Sequence, residues 1–237
     1  TPASVCTGGT SQLNGSANIA GYTMGSGGST FIDISLTGTD VPSVPNVLGD
    51  DSEHAITIPG AGFTFNGVNY TTALVGNNGA MVFGVSTGTI GFTNAALGTT
   101  LFGGTVGIGL APFWDDLLPV TVPLTSIKTQ VVGNKFIIQW TDEDMFSGGG
   151  TGTGTFQVQL DQVTGQIHFA YADLDFGSTN NFGASATVGI QWNTSGTGFS
   201  QYSFNQALLS DGQVISFTPN QASFSWSPAT FLNATNI

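Results

Sequence analysis

Ten of the 14 carboxylates in this 237-residue chain fall into four short clusters. These are Asp50-Asp51-Ser52-Glu53, Asp115-Asp116, Asp142-Glu143-Asp144 and Asp173-Leu174-Asp175. Lys128 and Lys135 are the only Lys or Arg residues, so the clusters repel one another's charge unless water or a cation offsets it. Oxygen ligands carried on loops suit Ca²⁺, which takes roughly six to eight of them. No Asp-x-Asp-x-Asp-Gly run of the EF-hand kind is present, so a site would have to be assembled from separate loops. Asp115, Asp116, Asp142 and Asp144 are the best candidate Ca²⁺ ligands. The competing reading makes the same acids solvated loop residues and turn caps.

Other chemistry is thinner. Asp115-Asp116 follows Phe113-Trp114, and an acid pair beside a Trp is the composition of a sugar site or a glycosidase pair. In the structural alternative, Trp114 is core and the acids accept loop N–H groups. His54 and His168 lack the i, i+4 spacing of a zinc motif and there is no cysteine pair to join them. His168 alternates with Ile167 and Phe169, which predicts a solvent-facing ring. There is no Gly-x-Ser-x-Gly elbow. The glycine-rich run 148–154 lacks the Lys of a phosphate loop and reads as a mobile hairpin loop. No catalytic residue is assigned, and the chain is expected not to be an enzyme.

Composition narrows the partners. A net charge of −12 with two lysines and no arginine excludes the phosphate neutralisation that nucleic-acid binding needs. Anionic membrane surfaces are disfavoured for the same reason. No apolar run approaches the roughly 18 residues of a helical span, so membrane insertion is not expected. Only 7% of residues are charged, yet 18 Phe and 4 Trp supply a core, so the surface must be dressed in Thr, Ser, Asn, Gln and Gly. The chain opens on Thr1 without a leader and reads as a mature or excised product. Cys6, the single cysteine, is free, paired between chains, or half of a disulfide whose partner lies beyond Ile237.

The elements that must position these residues are strands. Short Val, Ile, Phe and Thr runs alternate with turn dipeptides. Asn66-Gly67, Gly133-Asn134, Thr164-Gly165 and Asp211-Gly212 each sit between two such runs and predict hairpins, the last joining Leu208-Leu209 to 214–217. Alternation in Phe156-Gln157-Val158-Gln159-Leu160 predicts one buried and one wet face. Residues 94–97 and 205–209 are expected to form single helical turns. The fold class is all-β, an antiparallel β-sandwich.

Six blocks resemble the NIDO-type extracellular domain, in that family's order from Phe63 to Ile190. They are 63–70 (FTFNGVNY), 75–83 (VGNNGAMVF), 109–116 (GLAPFWDD), 136–140 (FIIQW), 155–160 (TFQVQL) and 186–190 (ATVGI). The tail's Ser225-Trp226-Ser227-Pro228-Ala229-Thr230 resembles the opening of Ig-like repeats in Bacteroidota surface adhesins, and Val5-Cys6 resembles the preceding strand of such repeats. The resemblance implies a NIDO-like body at 20–218 inserted between an N-terminal Ig-like strand, 1–19, and a C-terminal Ig-like segment, 219–237. The two ends would form a partial Ig-like sheet, with Cys6, Leu13, Phe224, Trp226, Phe231 and Ile237 as its interaction residues. It also implies a secreted, multidomain bacterial parent.

Together these readings give the expectation of a non-catalytic module of a bacterial surface adhesin or self-assembling surface fibre. It would contact its own copies or neighbouring domains through strand edges and a polar face. The alternative is a Ca²⁺-dependent carbohydrate-binding module with glycans as partners. A hydrolase working through Asp115, Asp116 or the Asp142 cluster is the third reading.

Overall fold

A computed structural model describes residues 20–41, 50–85, 90–98, 108–119, 127–147 and 150–221. They belong to a compact unit, Ala20–Pro219, with two residues beyond it. The residues assigned to a partial Ig-like sheet, Cys6, Leu13, Phe224, Trp226, Phe231 and Ile237, lie outside the described residues.

Strands carry nearly all the regular structure. In chain order the first half holds β1 (Tyr22–Ser26), β2 (Thr39–Val41), β3 (Glu53–Thr57), β4 (Phe63–Phe65), β5 (Val68–Tyr70), β6 (Thr72–Gly76), β7 (Ala80–Phe83) and β8 (Gly109–Trp114). The second half holds β9 (Leu117–Pro119), β10 (Ile127–Val132), β11 (Lys135–Met145), β12 (Gly154–Asp161), β13 (Ile167–Asp173), β14 (Thr187–Gln191), β15 (Phe199–Phe204) and β16 (Val214–Pro219). The first sheet runs β1-β16-β13-β12-β11-β10-β2, with β9 also paired to β11. The second runs β15-β14-β8-β7-β6-β3, and β4-β5 is a separate hairpin. Every pairing is antiparallel. The antiparallel sandwich expected from the strand pattern is the observed fold.

Between the sheets lies an aromatic core. Phe156 stacks on Trp140 at 5.2 Å and on Phe113 at 5.4 Å, joining the two sheets through their inner faces. Alternation explains which residues enter it: Phe156, Val158 and Leu160 of β12 point inward, as do Phe136, Ile138 and Trp140 of β11.

Turn chemistry accounts for three of the four predicted hairpins. Asn66 and Gly67 hold φ of 49° and 81° between β4 and β5, a two-residue loop with both residues left-handed. Gly133-Asn134 joins β10 to β11, and Asp161 accepts the Val163 and Thr164 N–H groups in the turn before β13. The fourth hairpin is not formed. Asp211-Gly212 is a turn, but Leu208-Leu209 is not a strand, because the chain is crossing there from β15 in one sheet to β16 in the other. Nor do residues 94–97 or 205–209 form helical turns; the short helical turn among the described residues is Asn181–Gly183. The described part of the glycine-rich run is packed: a Cβ at Gly150 would stand 2.1 Å from the Gly177 carbonyl oxygen, and at Gly152 2.0 Å from that of Asp175.

The wet face expected on β12 is also absent. Gln157 and Gln159 are fully buried with Gln139, because a strap leaving β1 crosses the outer side of the first sheet. The second sheet carries a cover as well, residues 90–98, whose Ile90 and Leu97 pack on Leu74, Val82 and Trp114.

Candidate functional site

The loop between β6 and β7 holds the acids in place. Asn77 and Asn78 sit at its centre, buried, followed by Gly79 at φ 68°. A Cβ on Gly79 would lie 1.8 Å from the Phe113 carbonyl oxygen, so only glycine fits. Asn77 reaches toward the turn preceding β3, accepting the Ser52 N–H on Oδ1 at 3.0 Å and donating its own N–H to the Ser52 carbonyl at 3.1 Å. Asn78 donates from Nδ2 to Asp51 Oδ1 at 2.9 Å. In the other direction, Asn77 Nδ2 donates to the Leu117 carbonyl at 2.9 Å and Asn78 Oδ1 accepts the Leu117 N–H at 3.0 Å. Two amide side chains therefore clamp the 50–52 turn against the link between β8 and β9.

That clamp brings Asp50, Asp51 and Asp116 together, one carboxylate oxygen of each lying within 4.8 Å of the others. Burial, then Asp51, Asp50 and Asp115, raise the Asp116 carboxyl above its ordinary range. Burial and Asp51 raise Asp50. Glu53 is raised by burial and by Asp51, against the pull of the Ile90 N–H that it accepts on Oε1. Neither lysine relieves this charge: Lys128 pairs with Asp40, and Lys135 bonds Ser29 and Gln159. Three convergent carboxylates could hold a hard cation, with water completing its coordination.

The ligand set read from sequence is redrawn. Of Asp115, Asp116, Asp142 and Asp144, the structure brings only Asp116 into this triad. Asp115 is 6% exposed, and its carboxylate accepts the Ser185 hydroxyl and the Asp116 N–H; burial is the main cause of its raised pKa. Asp142, at φ 54°, forms the bulge in β11 and accepts the Thr155 and Thr153 hydroxyls, both at 3.4 Å. Asp144 accepts the Met145 N–H at 2.7 Å. In the fourth cluster, Asp173 and Asp175 cap turns through the Asp175 and Gly177 N–H groups. Trp114 is buried and donates its indole N–H to the Gly91 carbonyl, so it braces the 90–98 cover.

The two histidines differ in burial: His168 is inside and His54 is half-buried. His168 is 1% exposed, not solvent-facing as its alternation predicted, because the strap covers that side of β13. His54 lies on β3 with an unpartnered Nε2, and burial lowers its pKa.

The strap is a polar site that sequence reasoning missed. Thr30, Ile32 and Ile34 meet Gln159, Gln157 and Gln139 in turn. Gln159 Nε2 donates to the Thr30 carbonyl at 2.7 Å. Gln157 accepts the Ile32 N–H at 3.1 Å and donates to its carbonyl at 3.0 Å. Gln139 accepts the Ile34 N–H at 3.0 Å and donates to Asp33 Oδ1 at 3.0 Å. The amides also bond each other, Gln159 to Gln157 and Gln157 to Gln139. Three glutamines on adjoining strands were visible in the sequence as FIIQW and FQVQL, but alternation marks such residues as outward without saying what lies over them.

Neither the curated proteins nor the solved structures gave a match. A family model described as NIDO related matches residues 21–233, a span that includes Phe224, Trp226 and Phe231. No helix among the described residues is long and apolar enough to cross a membrane. With the match covering most of its length, the chain belongs to the NIDO-related family.

Proposed function

We propose that this chain is a non-catalytic extracellular module of a bacterial surface adhesin or surface fibre, engaging other copies or neighbouring domains through strand edges. The observation that carries the reading is that both sheets are open among the described residues. The first ends at β1 and β2, the second at β15 and β3. Such edges present N–H and C=O groups to which another strand can add. Membership in the NIDO-related family supports the extracellular placement. The uncharged hydroxyl and amide surface adds contact without charge steering. Deleting residues 1–13 or 222–237 and following assembly by size exclusion with light scattering tests it. Loss of higher-order species with the strand circular dichroism retained is expected; a monomer indifferent to both deletions would sink the reading.

A second reading, a Ca²⁺-dependent carbohydrate-binding module, is favoured by the Asp50, Asp51 and Asp116 triad. Ca²⁺ binding at the triad would stabilise the native state by mass action. Titration calorimetry with CaCl₂ on the chain and on Asp116→Asn, followed by a glycan array with and without EDTA, separates the two steps. Heat that is unchanged by the substitution removes the triad as the metal site.

A further inference from the structure

The strap Gly27–Ser35 crosses the outer side of the first sheet without a backbone ladder, and the side chain beneath its first step is His168. Nδ1 of this buried ring has no hydrogen-bond partner. The ring bonds the Gly27 backbone. Because the Gly27 N–H is already given to the Val214 carbonyl, the group bonded is the Gly27 carbonyl, and the donor is Nε2. A ring that donates from Nε2 and leaves Nδ1 bare is a neutral imidazole. Gly28 lies directly on it: a Cβ there would stand 3.3 Å from Cε1, at a φ of 78°.

The charged groups around the ring are few. Lys135 at the start of β11 disfavours a second positive charge, and Asp161 at the end of β12 acts in the opposite sense. The β16 residue opposite His168 is Ser216, and the strap offers Gly27, Gly28 and Ser29, none of which titrates. Burial is the largest influence and holds the imidazole below its ordinary range.

We propose that Gly27–Ser35 is an acid-released cover and that protonation of His168 at Nδ1 opens it. One proton taken from solvent creates a second N–H with no acceptor and a buried cation near Lys135. The ring regains water by lifting Gly28, since the sheet blocks the other sides. The strap is then peeled from Gln159, Gln157 and Gln139 in that order. Asp33 does not drive this opening, because the Gln139 amide and Ser35 N–H hold its carboxyl below the ordinary carboxylate range. It stays ionised while His168 titrates.

Amide hydrogen exchange tests the proposal in the intact chain. The Ile32 and Ile34 N–H groups, bonded to Gln157 and Gln139, report the strap. Val188 and Ile190 in β14 report the rest of the fold. After correction for intrinsic rates, strap protection is expected to fall about tenfold for each pH unit below the ordinary imidazole value of 6.5 and to level off once pH passes the lower value of the covered ring, with the β14 amides unchanged. His168→Gln is expected to abolish that fall. Strap protection that tracks β14 at every pH, or a His168→Gln chain with the same pH dependence, overturns the proposal. Should that variant not fold, the imidazole titration followed by NMR in the unsubstituted chain decides. A His168 midpoint that coincides with strap opening supports the latch, and a separate midpoint overturns it.

Discussion

Each sheet of this sandwich is covered on its outer side by an irregular segment, and the two covers are held by different forces. Over the second sheet, residues 90–98 lay Ile90 and Leu97 onto Leu74, Val82 and Trp114. Over the first, residues 27–35 are held by carboxamides that match the main chain bond for bond. Apolar burial is non-directional and tolerates small shifts. Hydrogen bonds in a dry place are directional, and an unmade one costs the desolvation of both groups. The 90–98 cover should therefore lose stability gradually as volume is removed, and the 27–35 strap abruptly when one amide is lost.

Trp114→Ala should have the largest effect, because it removes a buried indole and its bond to Gly91. A loss of about 3–5 kcal/mol in urea unfolding is expected. Gln157→Leu comes next. It conserves approximate size yet strands the Ile32 N–H and carbonyl and two neighbouring amides, for an expected loss of about 2–4 kcal/mol. The loss should appear together with faster exchange at Ile32 and Ile34. A value below about 1 kcal/mol would mean the ladder contributes no more than exposed hydrogen bonds do, and the contrast between the covers would fail.

Acid sharpens the contrast, because the covers are tied to groups of opposite response. The 90–98 cover meets the acid turn through Glu53 and Ile90. The carboxyls of Glu53, Asp50 and Asp116 are raised on folding, so the cost of their burial and mutual repulsion is present above their folded pKa values and is relieved as pH falls through them. The His168 ring is lowered, so its contribution is complete above the ordinary value of 6.5 and is lost as pH falls below it. Asp116→Asn should stabilise the chain by about 0.5 kcal/mol at neutral pH, a gain that fades as the carboxyl becomes protonated. Thermal unfolding at several pH values checks both the sign and the fading. Leu36→Ser should do least. This side chain, 95% exposed at the end of the strap, should change stability by under about 0.5 kcal/mol.

The two covers also mark where the sequence stopped being legible. Strand period and turn dipeptides depend on neighbours in the chain, so the sandwich, three of the four hairpins and the NIDO-type blocks could be read directly. The glutamines and His168 obeyed the same period, and their outward direction was read correctly as well. Their burial was not, since it depends on a segment more than a hundred positions away that has no period of its own. The acid site was half visible for a related reason. Asp116 and the Asp50-Asp51 pair stand out as charge clusters, but only the buried Asn77 and Asn78 decide that these meet while Asp142 and Asp144 serve the bulge and a neighbouring amide. A run of two asparagines before a glycine, between two apolar strands, is the signal that could have directed attention to that turn.

The ladder takes hold of atoms that nearly every amino acid possesses. At Thr30 and Ile32 the glutamines bind main-chain N–H and C=O groups and leave the side chains outside the contact. Over evolutionary time, such a grip preserves the path of the strap while releasing the identity of those residues. Proline at Ile32 is the exception, because it removes the N–H that Gln157 accepts. Lineages carrying this domain could thus vary the outermost stripe of the sheet freely, altering what a partner meets there without redesigning the layer beneath.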